Sequence, residues 1–199
     1  MLAGTLPIFA ERLPAAAPEA ELLSLARAGD RAAFERIVTL YQRRIFALAL
    51  RLAGDVEDAK DATQETFLRL HRNLRQIDSA RSLGPWLWSV AVNACRDIGR
   101  RRQRSRLVPI DSFVSANAPD PAFGPESLAR AHELERRLQT ALARLPEKQR
   151  AALLLREMEG LSTSEVAEIL GCSETTVRSQ ISNARLRLRK LLGRQGEES

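Results

Sequence analysis

The chain has 199 residues and a formal net charge of +6, from 31 lysine and arginine side chains against 25 aspartate and glutamate side chains. Its apolar fraction of 44% and charged fraction of 28% are typical of soluble globular domains and argue against both a membrane protein and a wholly disordered chain. The high pI, about 10.3, favours an anionic partner such as a nucleic acid.

Cysteine and histidine usage argues against a metal-based or disulfide-based fold. Cys95 and Cys172 lie far apart with no CxxC pair, and His71 and His132 stand alone. The sequence therefore predicts no metal site, no cofactor and a reducing, cytoplasmic location. No apolar run approaches the roughly 20 residues that span a bilayer, so direct membrane insertion is not expected. Residues 1–18 contain several prolines and no basic start, which predicts a disordered leader.

From residue 19 to about residue 106 the pattern is helical, with apolar side chains recurring at intervals of three and four. A first helix ends near Gly54, and a second begins around Val56. A loop is predicted from Gln76 to Pro85, and a third helix from Trp86 to near Arg104. The apolar stripe of the first helix comprises Phe34, Ile37, Val38, Tyr41, Ile45, Leu48 and Leu52. The second helix is predicted to turn inward Thr63, Phe67, Leu70 and Leu74.

The third helix ends in a basic run. Residues 96–106 hold six arginines and one aspartate, which indicates either a solvated helix end or a surface that binds a polyanion. Asn93, Arg96 and Arg100 share one polar face. The residues predicted to face inward are Leu87, Val90, Ala94 and Ile98.

The second helix begins acidic and ends basic, which suits the helix dipole. Leu68 falls on its charged face. An apolar residue ringed by charge indicates either a protein-binding spot or an ordinary surface leucine.

Residues 107–126 have a different texture, with four prolines and no amphipathic period, which predicts a linker. Helical periodicity resumes at about Ser127 and continues to Leu192, with breaks at Leu145-Pro146 and at Gly160. The predicted fold class is all-α, with two small helical domains at residues 19–106 and 127–194 joined by a flexible linker and followed by a short tail at 195–199.

The C-terminal half contains a helix-turn-helix pattern. Ser162 and Glu165 have the spacing of a capping box, Gly171 stands where a helix ends in left-handed backbone, and Ser173 can cap a second helix. In DNA-binding proteins with this motif, the second helix enters the major groove, where arginine pairs with guanine and asparagine with adenine. The inward stripe of that helix is predicted to be Val177, Ile181, Ala184 and Leu188.

The opposite face of this helix combines short polar side chains with arginine. Residues 174–194 hold six basic side chains and one acidic side chain, which suits phosphate contacts. The alternative is an ordinary helical hairpin with a solvated outer face.

Two blocks of the sequence together resemble the bacterial RNA polymerase sigma factors of the extracytoplasmic function (ECF) group. The first comprises DVEDAKDATQETFLRLHR at 55–72 and PWLWSVAVNACRD at 85–97, and the second runs from LPEKQR at 145–150 to residue 192. The resemblance implies that the first domain is sigma region 2 and the second is sigma region 4 with its helix-turn-helix.

The resemblance also implies roles for individual side chains. It places Trp86 and Trp88 in the domain core, with base stacking as the alternative. The residues that the resemblance assigns to binding of the −35 promoter element are Thr175, Thr176, Arg178, Ser179, Ser182, Asn183 and Arg185. The residues that the resemblance assigns to the −10 element are Asp78, Ser79, Ala80, Asn93, Arg96, Arg100 and Arg101. The first three lie in a loop that would bind a flipped base, and the others lie on the following helix. The residues that the resemblance assigns to binding of core polymerase are Asp58, Asp61, Gln64, Glu65, Leu68, Arg69 and Arg72.

The implied function is that of a sigma factor that binds core RNA polymerase, recognises promoter DNA and helps open the −10 region. It implies no chemistry of its own and no small-molecule substrate, and an anti-sigma factor as a further partner. No nucleophile–base pair or phosphate-binding glycine loop is visible, which argues against an enzyme. Two alternatives remain: a conventional helix-turn-helix regulator whose first domain senses a ligand or dimerises, and a helical adaptor without DNA binding.

Overall fold

The computed structural model describes residues 18–77, 82–105 and 125–194. All regular structure within these ranges is helical. The leader as far as residue 17, residues 78–81, residues 106–124 and the tail after residue 194 lie outside the described residues. The helices are α1 (Glu19–Arg27), α2 (Arg31–Ala53), α3 (Val56–Asn73), α4 (Leu83–Ser105), α5 (Pro125–Ala143), α6 (Glu147–Glu157), α7 (Thr163–Leu170) and α8 (Glu174–Arg194).

Local capping sets the boundary between α2 and α3. Gly54 ends α2 in left-handed backbone with φ of 77°, and the Asp55 carboxylate accepts from the amides that open α3. The predicted boundary between these helices is therefore confirmed. The break between α1 and α2 at Gly29 was not predicted, although its φ of 96° strongly favours glycine.

The predicted loop from Gln76 to Pro85 is wrong over its last three residues, because α4 begins at Leu83. Proline is compatible with a first helical turn, where its missing N–H needs no partner. The amide of Leu83 is instead held from outside the helix, by the side chain of Glu19 at 2.6 Å. Such a cap from a distant residue leaves no local mark in the sequence.

The N-terminal domain packs α1, α3 and α4 around α2. Ile37, Ile45 and Leu48 are fully buried, and Trp88 of α4 joins them, so its assignment to the core is confirmed. Trp86 is half-buried against the same core. The inward face of α3 is formed mainly by Ala59, Ala62, Thr66, Leu70 and Leu74, with the predicted Thr63 and Phe67 only half-buried at its margin. In α4, Val90 and Ile98 are likewise half-buried.

In the C-terminal domain α6 is the central helix. Five consecutive residues of α6, from Ala151 to Leu155, are buried, which requires neighbours on every side. One side packs on α7 and α8, and another faces α2 of the N-terminal domain. The breaks predicted at Pro146 and Gly160 coincide with the two ends of this helix.

The two domains pack directly against each other. Gln139 of α5 donates to the carbonyl oxygen of Leu50 at 2.8 Å, and both groups are buried. Arg51 pairs with Glu135 at 3.0 Å. Buried apolar residues of both domains belong to one continuous cluster. The interface between the two domains is therefore buried and continuous with their apolar cores.

Arginines on the N-terminal domain meet glutamates on the C-terminal domain at three points: Arg44–Glu159 at 2.8 Å, Arg51–Glu135 at 3.0 Å and Arg96–Glu147 at 2.6 Å. In each pair the positive partner comes from α2 or α4 and the negative partner from the C-terminal domain. Opposite charge therefore accompanies apolar burial across this contact.

Candidate nucleic-acid interface

Side-chain caps set the geometry of the helix-turn-helix. Ser162 Oγ accepts from the Glu165 amide at 3.2 Å, and the Glu165 carboxylate accepts from the Ser162 amide at 2.7 Å. Gly171 then adopts left-handed backbone with φ of 63°. Ser173 Oγ accepts from the Thr176 amide at 3.2 Å and so caps α8. The capping box, the glycine turn and the second cap predicted from sequence are confirmed.

The second helix of this motif, α8, separates a buried face from an exposed one. Val177, Ile181 and Ala184 are buried against the domain core. The seven residues implied for the −35 element are all exposed, namely Thr175, Thr176, Arg178, Ser179, Ser182, Asn183 and Arg185. The sequence thus correctly predicted which side of the helix faces solvent.

Two arginines on the exposed face of α8 have acidic neighbours. Arg178 Nη2 donates to Glu174 Oε2 at 2.7 Å, with both side chains largely exposed. Arg185 donates to Glu157 at the end of α6. Exposed pairs of this kind contribute little to stability, so either arginine can exchange its carboxylate for DNA at small cost.

A further basic surface lies on α4. Asn93, Arg100 and Arg101 are exposed. Arg96 is half-buried, because its guanidinium donates to Glu147 of α6 at 2.6 Å and to Asn93 Oδ1 at 3.4 Å. The polar face predicted for this helix is present, and its central arginine is engaged by the other domain.

Arg102 pairs with two carboxylates, which the sequence analysis did not predict. It donates to Asp58 at 2.6 Å and to Asp55 at 3.3 Å, and so joins the end of α4 to the start of α3. Burial raises the pKa of Asp55, but the Asp58 amide and Arg102 outweigh it and lower that pKa overall. The pKa of Asp58 is raised, since its burial outweighs the attraction of Arg102. Arg102 of the basic run therefore serves the fold.

The connection between α3 and α4 is described only at its ends. Ile77 is buried and Ser82 is exposed. Asp78, Ser79 and Ala80, which the family resemblance implies for the flipped base, lie outside the described residues.

The outward face of α3 carries the residues implied for polymerase binding. Leu68 is 42% exposed there, beside ion pairs that join Arg69 to Glu65 at 2.7 Å and to Asp97 of α4 at 3.6 Å. The exposed members of the set are Asp61, Gln64, Leu68 and Arg72, and the half-buried members are Asp58, Glu65 and Arg69.

Features of other site types are missing from the described part of the chain. No group of three or more histidine, cysteine, aspartate or glutamate side chains could hold a metal ion there. No helix within the described ranges is long and apolar enough to cross a membrane. Cys95 and Cys172 are half-buried against the core. Burial raises the pKa of the Cys95 thiol to about 12, which keeps it in its unreactive protonated form at neutral pH.

Family models match both domains. Residues 37–106 match sigma-70 region 2, and residues 135–188 match sigma-70 region 4. The first match covers most of α2 and all of α3 and α4, and the second covers most of α5 to α8.

Sequence relatives align with most of this chain. The chain is 36% identical over 175 residues to the ECF RNA polymerase sigma factor SigM of Mycobacterium tuberculosis, across 88% of this chain and 85% of SigM. It is 33% identical over 178 residues to the RNA polymerase sigma-H factor of Pseudomonas aeruginosa, across 86% of this chain and 92% of that protein.

Solved structures have a similar fold. The chain aligns with CnrH, solved in complex with the cytosolic domain of CnrY, at a TM-score of 0.64 and 25% identity, over 88% of this chain and 97% of CnrH. It also aligns with the sigma factor RpoE of Bartonella quintana, solved with the anti-sigma factor NepR, at a TM-score of 0.64 and 27% identity, over 80% of this chain and 96% of RpoE. With both sigma regions present and identity above 30% across nearly the whole length of its relatives, this chain belongs to the ECF RNA polymerase sigma factors.

Proposed function

We propose that this sigma factor divides its work among three surfaces, one for core polymerase and two for promoter DNA. The outward face of α3 binds polymerase, the outward face of α8 reads the −35 element, and α4 with the preceding connection binds the opened −10 element. It acts in the cytoplasm, where polymerase transcribes, and contributes binding energy to promoter opening without catalysing a covalent step. Residues 19–106 act as region 2 and residues 127–194 as region 4.

The observation that best supports this division is the two-sidedness of α8. One face of the helix is buried in the core, whereas the other presents arginine, asparagine and hydroxyl groups to solvent without an apolar side chain among the seven implied −35 residues. Arginine and asparagine are the side chains that read guanine and adenine edges in the major groove. Exposed Arg187, Arg189 and Lys190 extend the same helix in positions suited to phosphates.

The α4 surface supports a role in strand opening. Arg100 and Arg101 are exposed and adjacent, and Asn93 lies two turns before them on the same helix. Cations along a helix can bind the backbone of a separated strand and offset the cost of unstacking a base, which is a few kcal/mol. Arg96 joins this surface by exchanging Glu147 for DNA.

An anti-sigma factor is the proposed regulator. Two structural relatives were solved as complexes, CnrH with CnrY and RpoE with the anti-sigma factor NepR, and each aligns over most of this chain. We propose that a comparable partner binds this chain and blocks its polymerase and DNA surfaces.

The test is a reconstituted transcription reaction. Start sites mapped after overexpression identify candidate promoters, and purified protein with core polymerase is expected to initiate from them, whereas core polymerase alone does not. Tight promoter binding by the free protein, with no transcription in the reconstituted reaction, would instead support the conventional helix-turn-helix regulator. Absence of any binding to DNA or polymerase would support the helical adaptor.

A further inference from the structure

The first helix contacts both ends of the connection between α3 and α4. Arg27 Nε, at the end of α1, donates to the carbonyl oxygen of Leu74 at 2.9 Å, where α3 finishes. Glu19 Oε1, at the start of α1, accepts from the amide of Leu83 at 2.6 Å, where α4 begins. One short helix therefore holds two backbone positions that flank the connection.

The two side chains have the charges that these positions favour. The last carbonyl groups of a helix and its first amides have no partner within the helix. The carboxyl end of a helix also attracts a cation, and its amino end attracts an anion. Arg27 and Glu19 supply a cation at the end of α3 and an anion at the start of α4, each in direct hydrogen-bond contact.

The helix that carries these contacts is itself firmly held. Leu22, Leu23 and Ala26 of α1 are buried in the core. Glu19 and Arg27 stand eight residues apart, which places their backbones about 12 Å apart along a helix. A rigid helix therefore spans the two contact points.

Tyr41 of α2 fixes the acidic contact from a second direction. Its hydroxyl donates to Glu19 Oε2, while the other carboxylate oxygen receives the Leu83 amide. Burial, followed by the hydrogen bond to Glu19 and the charge of Glu19, raises the pKa of Tyr41, so the phenol stays protonated as a donor at any physiological pH. Both oxygens of Glu19 are thus committed, and its side chain has little freedom to leave Leu83.

We infer that α1 is a brace, and that Glu19 and Arg27 are positioning residues for recognition of the −10 element. They act through Leu74 and Leu83, by setting the separation and direction of the two ends of the connection. This inference depends on the proposed function, in which that connection and α4 bind the opened −10 strand. The alternative is that the two contacts stabilise the domain and have no bearing on DNA.

The experiment uses holoenzyme formed from the full chain and core polymerase, on a promoter identified by start-site mapping. Initiation is measured on the parent promoter and on two mutated sets, one altered at the −10 bases and one at the −35 bases. For Glu19→Ala and Arg27→Ala we expect the preference for the parent −10 sequence to fall about tenfold, in line with the loss of a helix cap. The −35 preference and the affinity for core polymerase should stay at wild-type values.

Matched controls lie on the same surface. Glu21→Ala removes an exposed acid from the same turn of α1, and Arg31→Ala removes an exposed arginine four residues after Arg27; both should retain the wild-type −10 preference. Glu19→Gln keeps an acceptor for the Leu83 amide, so it should restore most of the preference. Wild-type −35 preference and polymerase affinity in Glu19→Ala would show that the variant has not lost its fold.

Two results would overturn the inference: an unchanged −10 preference in both alanine variants, or an equal loss of −10 and −35 preference, which would indicate a general structural role. A wild-type holoenzyme without any −10 preference would remove the proposed function and this inference together. That failure is recognised in the wild type before any variant is made.

Discussion

Arg96 of α4 donates through Nε to Glu147 Oε1 of α6 at 2.6 Å, across the contact between the two domains. The family resemblance implies that Arg96 binds the −10 element, so in the packed arrangement an acidic residue of one domain occupies a proposed DNA contact of the other. The Arg96 side chain is 19% exposed and that of Glu147 is 53% exposed. Glu147 can therefore be exchanged for a phosphate or a base without uncovering a buried charge.

Removing the charge of Glu147 should strengthen DNA binding by the free protein. In Glu147→Gln the guanidinium of Arg96 loses its anionic partner, and we expect promoter affinity to rise by up to about fivefold, the equivalent of one partly exposed ion pair. Fluorescence anisotropy with labelled promoter DNA measures the change. Glu133→Gln is the control, because it alters net charge equally while its partner Arg136 lies on the same helix. Equal gains in the two variants would assign the effect to net charge alone.

Breaking the buried pair between the domains should destabilise the protein. The side chains of Arg51 and Glu135 are only 8% and 20% exposed, so Glu135→Ala leaves a largely buried cation without its partner. We expect the free energy of unfolding to fall by about 2 kcal/mol, in the range for hydrogen bonds to charged groups. Denaturant titration of Glu135→Ala beside Glu133→Ala tests this, since the latter loses only an exposed pair. Similar midpoints for both variants would contradict it.

Arg178 should contribute to selection of the −35 element. If its guanidinium pairs with a guanine edge, Arg178→Ala should cost about 1 to 3 kcal/mol of discrimination at one base pair and leave −10 preference intact. Binding of holoenzyme to promoters altered at each −35 position locates that base pair. Arg31→Ala, which removes another exposed arginine with an i,i+4 glutamate partner, should have no such effect. A uniform loss on every sequence would reassign Arg178 to phosphate contact.

Leu68 should belong to the polymerase-binding surface. Leu68→Glu places a charge where we propose an apolar contact, and we expect affinity for core polymerase to fall by about tenfold, because burying an unpaired carboxylate is costly. The fold should be unaffected, as the side chain already faces solvent. Leu25→Glu is a close control, since Leu25 and Leu68 are each 42% exposed in the same domain. Wild-type affinity in Leu68→Glu, measured by competition for core polymerase, would exclude α3 from the interface.

Glu159 should make stability depend on pH. Its side chain is only 2% exposed, and burial raises its pKa above the ordinary value of 4.5 despite the attraction of Arg44. The folded protein therefore binds this proton more tightly than the unfolded chain, and the resulting stabilisation is lost as pH rises from below 4.5 through the folded-state pKa. The unfolding free energy of the wild type should decline relative to Glu159→Gln over that interval. A constant or rising difference would show that the carboxylate is not disfavoured in the folded state.

The helix-turn-helix could be predicted from sequence because its determinants lie close together along the chain. Ser162 and Glu165 are three residues apart, and Gly171 directly follows the helix that it ends. The stripe through Val177, Ile181 and Ala184 follows from helical geometry alone, and with it the identity of the exposed face. Periodicity and capping rules can predict interactions between residues that lie within one or two helical turns of each other.

Contacts between residues that lie far apart in the chain could not be predicted by these rules. The sequence does not distinguish Arg100 from Arg102, since both belong to the basic run. In the structure, Arg102 is the one of these two that donates to Asp58 at the start of α3, 44 residues earlier in the chain. The start of α4 at Leu83 depends on Glu19, 64 residues earlier.

By itself, the sequence determined the all-helical fold class, the buried and exposed faces of α8, and the family. The tertiary structure alone decided how the two domains pack and which arginines serve the fold, since a side chain gives no local sign of which distant charge it will meet. Arg96 shows the difference most clearly. Its place on the polar face of α4 follows from helical spacing, while its pairing with Glu147 follows only from the packing of the two domains against each other.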